Sequence, residues 1–260
     1  MKVAAVQHDI VWEDRAATLA HLAPQVARAA AGGAELVVLT EMFATGFSMR
    51  THHTAEDLDG PIVAWLADRA AAHGILLAGS LALRPPTPEA EGPAGLPTNT
   101  FLLVGPDGVV ARYDKLYPFS YAGEHERFRS GGDPVSVEVA GVRLGLSVCY
   151  DLRFADLYWD REPAVDVEVV VANWPASRRA HWRTLLDARA VENQTYVIGV
   201  NRVGDGGGTS YAGDSRIVDP AGEVLVAGSQ VETILQAEVS AERVAEVRSR
   251  FPFRADRRDR

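Results

Sequence analysis

The chain has 260 residues, a formal net charge of −9 and a single cysteine, with an isoelectric point of about 5.3. One cysteine excludes an internal disulfide and a cysteine-rich metal site, and the acidic balance argues against a nucleic-acid backbone as partner. No window approaches the roughly 20 apolar residues of a membrane-spanning helix. The opening Met1-Lys2-Val3-Ala4-Ala5-Val6-Gln7-His8-Asp9 turns polar too soon for a signal peptide, so the expectation is a cytoplasmic protein with neither nucleic-acid nor membrane partners.

Val3 to His8 alternates as a first strand, and Trp12 to Ala31 has the apolar spacing of a helix stopped by Gly32-Gly33. Glu35 to Thr40 is a short apolar run of the kind buried on both faces of a sheet. Gly60-Pro61 opens a helix to His73, with Gly74 closing it, and Ile75 to Leu83 is the next strand. Arg84 to Pro97, with five prolines and two glycines, reads as a surface insertion between strands. Two hairpins follow, one turning at Pro106-Asp107-Gly108 and one at Ala140-Gly141.

After Cys149, Tyr150 to Tyr158 reads as the start of a helix. Strand Val167 to Ala172, helix Arg178 to Glu192 and strand Tyr196 to Val200 come next, then a glycine-rich turn at Gly204 to Gly208. That turn lacks the Lys-Ser/Thr ending of a phosphate loop and joins strands, and the first strand is not followed by a dinucleotide-binding fingerprint. A hairpin around Asp219 to Gly222 and a helix from Ala241 to Arg250 complete the pattern. The tail from about Phe251 is basic, and mobility or contact with a second chain is expected of it. Alternating strands and helices with interleaved hairpins suit either one mixed sheet with helices outside or two sheets face to face with helices on each. No boundary divides the chain, so one domain over residues 1–260 is expected.

Three chemically active residues follow strands: Glu41, Lys115 and Cys149. Each has a plain structural reading. Glu41 suits a helix cap, Lys115 an edge charge, and Cys149 a small buried hydrophobe. If the strands are neighbours, the three meet at one sheet edge, where a base, a cation and a nucleophile are the parts of acyl transfer. A helix beginning after Cys149 would favour thiolate over thiol.

Leu39-Thr40-Glu41-Met42-Phe43, Tyr113-Asp114-Lys115-Leu116 and Ser147-Val148-Cys149-Tyr150-Asp151-Leu152-Arg153-Phe154 resemble the three signatures of the nitrilase, or carbon–nitrogen hydrolase, superfamily, in the same order. Gly123-Glu124-His125-Glu126, Ala172-Asn173-Trp174-Pro175, Arg189 to Gln194 and Gly199 to Gly204 look like its ω-amidase-type branch. The resemblance implies an α/β fold, a four-layer α-β-β-α sandwich of two mixed sheets face to face, commonly paired as a homodimer. It implies a Glu41, Lys115 and Cys149 triad with Glu124 as a second glutamate that orients Lys115 or the attacking water. It also implies a small ω-amidodicarboxylate substrate such as 2-oxoglutaramate, hydrolysed without a cofactor. N-carbamoyl amino acid hydrolase, nitrilase and a catalytically retired binding subunit stand as alternatives.

A substrate carboxylate calls for an arginine fork. Arg153, one turn past Cys149, is the first candidate, with Arg178 and Arg179 in reserve; the competing reading of Arg153 is a structural ion pair with Asp151, Asp156 or another acid. The backbone N–H of Tyr150 is a candidate oxyanion donor. Phe47, Phe119, Tyr121 and Trp174 are candidate pocket walls, though aromatics are as readily core. His52-His53 and Asp57 lack further ligands at metal spacing, so no metal is expected.

Overall fold

The computed structural model describes residues 1–85, 95–161, 164–256 and 258. The insertion expected between Arg84 and Pro97 lies mostly outside these residues. The strands are β1 Lys2–Gln7, β2 Leu36–Val38, β3 Leu76–Leu83, β4 Thr98–Gly105, β5 Gly108–Asp114, β6 Ser136–Val139, β7 Val142–Val148, β8 Val167–Ala172, β9 Tyr196–Asn201, β10 Val203–Gly206, β11 Thr209–Val218, β12 Val224–Ser229 and β13 Thr233–Glu238. The helices are α1 Arg15–Ala31, α2 Thr51–Thr54, α3 Pro61–His73, α4 Ala155–Trp159, α5 Arg179–Asn193 and α6 Ala241–Arg250.

Two mixed sheets result. The first is six-stranded in the order β13-β1-β2-β3-β4-β5. The second is seven-stranded, β10-β11-β9-β8-β7-β6 with β12 against β11. Strand alternation explains their stacking, because successive side chains point to opposite faces. Val3, Ala5 and Val38 of the first sheet join Leu144, Leu146, Val169, Val171 and Ile198 of the second in the central core. The intervening Ala4, Val6 and Val37 face Leu22 and Val26 of α1 and Leu66 of α3. On the other side Val170, Ala172 and Val197 face Trp182 and Leu186 of α5. Helix, sheet, sheet and helix therefore form a four-layer sandwich, the second of the two arrangements that the strand pattern allowed.

Local chemistry sets the boundaries. The Asp14 carboxylate accepts from the Ala17 amide, so α1 begins at Arg15 and Trp12 lies outside it. Gly74 adopts φ 64° and ends α3 as expected. Gly199 lets α5 approach the sheet, since a Cβ there would stand 2.3 Å from Leu186. Two strands are absent from the sequence reading: β10 takes up the start of the expected glycine-rich turn and pairs with β11, and β13 pairs antiparallel with β1, from Lys2 opposite Glu238 to Gln7 opposite Thr233. The tail also folds back, where the sequence suggested mobility or a partner chain. Phe253–Asp256 forms a turn, the Gln194 amide donates to the Phe251 carbonyl, and Arg254 donates to the Asn193 carbonyl.

Candidate active site

Glu41, Lys115 and Cys149 come together, but across the two sheets instead of along one edge. Glu41 follows β2 and Lys115 follows β5 of the first sheet, while Cys149 follows β7 of the second. The strand ends meet where the sheets pack. Cys149 stands at φ 49° and Met42, next to Glu41, at φ 40°. Non-glycine residues rarely occupy this region, and such strain collects at functional turns.

Every oxygen of the two glutamates is engaged. Glu41 Oε1 accepts from Lys115 Nζ at 2.9 Å and from Asn99 Nδ2 at 2.8 Å, and Oε2 accepts from the Asn173 amide at 2.8 Å. The Cys149 thiol lies near enough to this carboxylate for its charge to raise the thiol pKa. Glu124 Oε1 accepts from Lys115 and Asn99, and Oε2 from Lys115 and the Phe119 amide. Glu41 and Glu124 are fully buried and Lys115 is 1 % exposed. Burial opposes the charge on Lys115, but the Glu124 and Glu41 carboxylates outweigh it and raise its pKa. Nζ therefore stays an ammonium. Two of its hydrogens go to the glutamates, and it also lies 5.4 Å from the centroid of the Phe47 ring.

The thiol reverses one expectation. Burial first and the Glu41 carboxylate second push the Cys149 pKa well above its ordinary value, with Lys115 opposing them. Two carboxylates against one ammonium leave the site with net negative charge, so a thiolate would be a third anion. The expected helix is also missing as such. Cys149–Arg153 is a single 3₁₀ turn, separated by Phe154 from the five-residue α4. The resting sulfur is a thiol beside a carboxylate, an arrangement suited to proton transfer during attack.

Asp151 is the largest surprise among the motif residues. It does not pair with Arg153; it is fully buried beneath the turn. Its Oδ2 accepts from the Tyr113 hydroxyl at 2.7 Å and the Val148 amide at 2.9 Å, and Oδ1 accepts from the Tyr117 amide at 3.0 Å. It thus ties the segment around Lys115 to the turn that carries Cys149. Burial pushes its pKa up to about 6, against Lys115 and these three donors.

Above the triad lies a cavity of about 240 Å³. Phe47, Phe119, Tyr121, Tyr150, Arg153 and Trp174, all singled out from the sequence, line it. Arg153 Nη2 lies 3.2 Å from His181 Nδ1, and its guanidinium carbon is 4.8 Å from the centroid of the Trp174 ring. Of the reserve arginines, Arg179 is bidentate to Asp214 and Arg178 lines the cavity. His52 and His53, on α2, belong to no group of three or more metal-binding side chains among the described residues.

Sequence reasoning missed Asn99 as a shared donor to both glutamates, and Asn173, whose side chain donates to the Glu41 carbonyl while its amide holds Oε2. The signal for Asn99 was present: Thr98-Asn99-Thr100 is a polar triplet at the head of a strand buried throughout.

Comparison with known proteins agrees with this architecture. The carbon–nitrogen hydrolase family model matches residues 2–249. Omega-amidase YafV of Escherichia coli (strain K12) is 40% identical over 255 residues, 97% of this chain and 94% of the relative. The 2-oxoglutaramate amidase of Bacillus subtilis (strain 168) is 33% identical over 225 residues, 84% of this chain and 83% of the relative. A crystal structure of a CN-hydrolase superfamily protein from Xanthomonas campestris, with an arsenic adduct in its active site, superposes with a TM-score of 0.92 at 36% identity, covering 100% of this chain and 98% of that one. The fold, the family match and these relatives together place the chain in the carbon–nitrogen hydrolase family, on its ω-amidase branch.

Proposed function

We propose that the chain is a thiol amidohydrolase that cleaves the terminal amide of a small ω-amidodicarboxylate, of the 2-oxoglutaramate kind, through a cysteine thioester. The observation that carries this reading is the Lys115 ammonium held between the Glu41 and Glu124 carboxylates beside Cys149, whose thiol feels the charge of all three. Cys149 Sγ attacks the amide carbonyl carbon while its proton passes to Glu41. Lys115 Nζ and the Tyr150 amide face the oxyanion; that amide lies in the first turn of the 3₁₀ segment, where N–H groups have no intrahelical acceptor. On collapse the C–N bond breaks, Glu41 returns the proton to the departing nitrogen, and ammonia leaves. Water then attacks the thioester with Glu41 as base, the C–S bond breaks, and the thiol regains its proton as the carboxylic acid departs. Each Glu124 oxygen already accepts two hydrogen bonds, whereas Glu41 Oε2 accepts one, so Glu124 positions Lys115 and Glu41 carries the proton.

Arg153 is the proposed clamp for the far carboxylate, with Phe119, Tyr121, Tyr150 and Trp174 as walls. A cytoplasmic homodimer is the setting expected of this branch, and no described helix is long and apolar enough to cross a membrane. The test is a substrate panel read for ammonia and carbon dioxide: 2-oxoglutaramate, succinamate, uncharged amides, an N-carbamoyl amino acid and a nitrile. Arg153→Met should lower the preference for the carboxylate-bearing amides about ten- to a hundredfold, as expected for a charge-assisted contact of about 1.5–3 kcal/mol, while sparing uncharged amides. A parent that favours the carbamoyl compound, the nitrile or uncharged amides refutes the assignment.

A further inference from the structure

The cavity holds a second cation that the reaction above does not use. Its lining carries two charged side chains, Arg153 and Arg178, and no acid. Both are half-buried. Among the described residues neither makes an ion pair, whereas Arg179, Arg189 and Arg202 each do. Arg178 is also held in place. The Trp174 indole N–H donates to its carbonyl at 2.9 Å, and its guanidinium carbon lies 5.4 Å from the centroid of the Phe119 ring. Arg153 stands over Trp174 and Tyr150 on the same cavity. Two planar forks thus face one space, each backed by an aromatic ring.

Two unpaired cations in one half-buried cavity repel each other and lose hydration, so the arrangement suits an anion placed between them. A single carboxylate is satisfied by one bidentate fork. A 2-oxo acid presents a further acceptor, its oxo oxygen, in the plane beside the carboxylate. We propose that Arg178 is the residue that selects for a 2-oxo group, binding the oxo oxygen and the nearer carboxylate oxygen while Arg153 binds the carboxylate. This assignment rests on the amidase reading of the same site and narrows it to amides of 2-oxo diacids.

Three substrates of equal chain length separate the groups: 2-oxoglutaramate, glutaramate, which lacks the oxo oxygen, and pentanamide, which lacks both. Concentrations of 2-oxoglutaramate are referred to its open form, because its amide nitrogen closes on its own oxo carbon. In Arg178→Met, the ratio of kcat/KM for 2-oxoglutaramate over glutaramate should fall at least tenfold, through KM with kcat nearly unchanged, and pentanamide should be hydrolysed within twofold of the parent rate. Arg178→Lys, which keeps the charge, should restore part of the ratio. Arg153→Met should instead lower both acids relative to pentanamide. An unchanged ratio in Arg178→Met, or an equal fall for all three substrates, overturns the assignment and leaves the amidase reading standing. A parent inactive on all three overturns both.

Discussion

Lys115 is a single ammonium serving two fully buried carboxylates, and its removal has a calculable consequence. In the parent the charges of Glu41, Lys115 and Glu124 sum to −1 in a space that water barely reaches. Lys115→Met keeps most of the stem and leaves two carboxylates facing the vacated position. Breaking a buried pair by deleting one partner costs about 3–5 kcal/mol. Because both glutamates lose the same cation, the upper part of that range is expected. Adding Glu124→Gln to Lys115→Met returns the sum to −1 and should recover about half the loss, so the double variant should be more stable than the Lys115→Met single. Urea denaturation at neutral pH on the parent, both single variants and the double gives the coupling directly. Activity is read separately on the folded fraction, where loss of an oxyanion partner lowers kcat by about two to three orders of magnitude. Equal stability of Lys115→Met and parent would refute the charge argument, as would a double variant whose loss is the sum of the two singles.

Cys149→Ala should abolish hydrolysis while changing stability by only about 1 kcal/mol, measured by denaturation beside an ammonia assay. Glu41→Gln removes the proton carrier, so hydrolysis should fall by about two to four orders of magnitude. It also removes a charge that raises the thiol pKa, so iodoacetamide should label Cys149 with a pH profile shifted below that of the parent; coincident profiles would show that Glu41 does not act on the sulfur. His8 is fully buried between Thr40 and the Asp9 carbonyl, and burial lowers its pKa from 6.5 to about 4. Its folded pKa is depressed, so the unfolded chain takes up the proton first and stability is lost as pH falls from 6.5 towards 4, by about 3 kcal/mol at 1.36 kcal/mol per pKa unit. Asp151 has the opposite sign: its pKa is raised from 3.8 to about 6, so its contribution is present at low pH and lost as pH rises through 6. Measured against the parent across that range, His8→Asn should gain relative stability on acidification and Asp151→Asn should lose it; parallel curves would refute both assignments.

Uniform signals were legible in the sequence, and relational ones were not. The valine-rich Val167–Ala172, interrupted only by Glu168, read as a strand, and the Gly60-Pro61 and Gly74 brackets fixed α3. Glu41, Lys115 and Cys149 stood out because each ends a strand and matches a family signature. That they lie on two sheets was not legible, because a strand's own pattern does not say which neighbour it takes. The strand β13 escaped for a related reason. Thr233-Ile234-Leu235-Gln236-Ala237-Glu238 alternates weakly, and its partner β1 lies at the far end of the chain. Asp151 stands beside Arg153 in sequence and so suggested an ion pair, yet the 3₁₀ turn sends it inward to Tyr113 while Arg153 faces the cavity. The state of the thiol was misread because a helix was assumed and the two glutamates were not weighed against the single lysine.

The division of the site between two sheets gives the catalytic arrangement its dependence on the whole fold. Glu41 belongs to the first sheet, yet its Oε2 and its backbone carbonyl are held by Asn173, which follows β8 of the second. Asn201, at the end of β9, in turn holds the Trp174 amide and carbonyl. Asp151 makes the reciprocal link, reaching from the second sheet to Tyr113 and Tyr117 of the first. Neither sheet alone can place Glu41 and Cys149 together. The buried carboxylates are tolerable only once Lys115 and these amides surround them, since an unpaired buried charge is strongly unfavourable. Docking of the sheets over the apolar core supplies the driving force, and the polar cluster at its edge fixes the register in which docking is permitted. A thiol kept protonated until substrate arrives follows from the same geometry, because the charge balance that lets the sheets close leaves no room for a third anion.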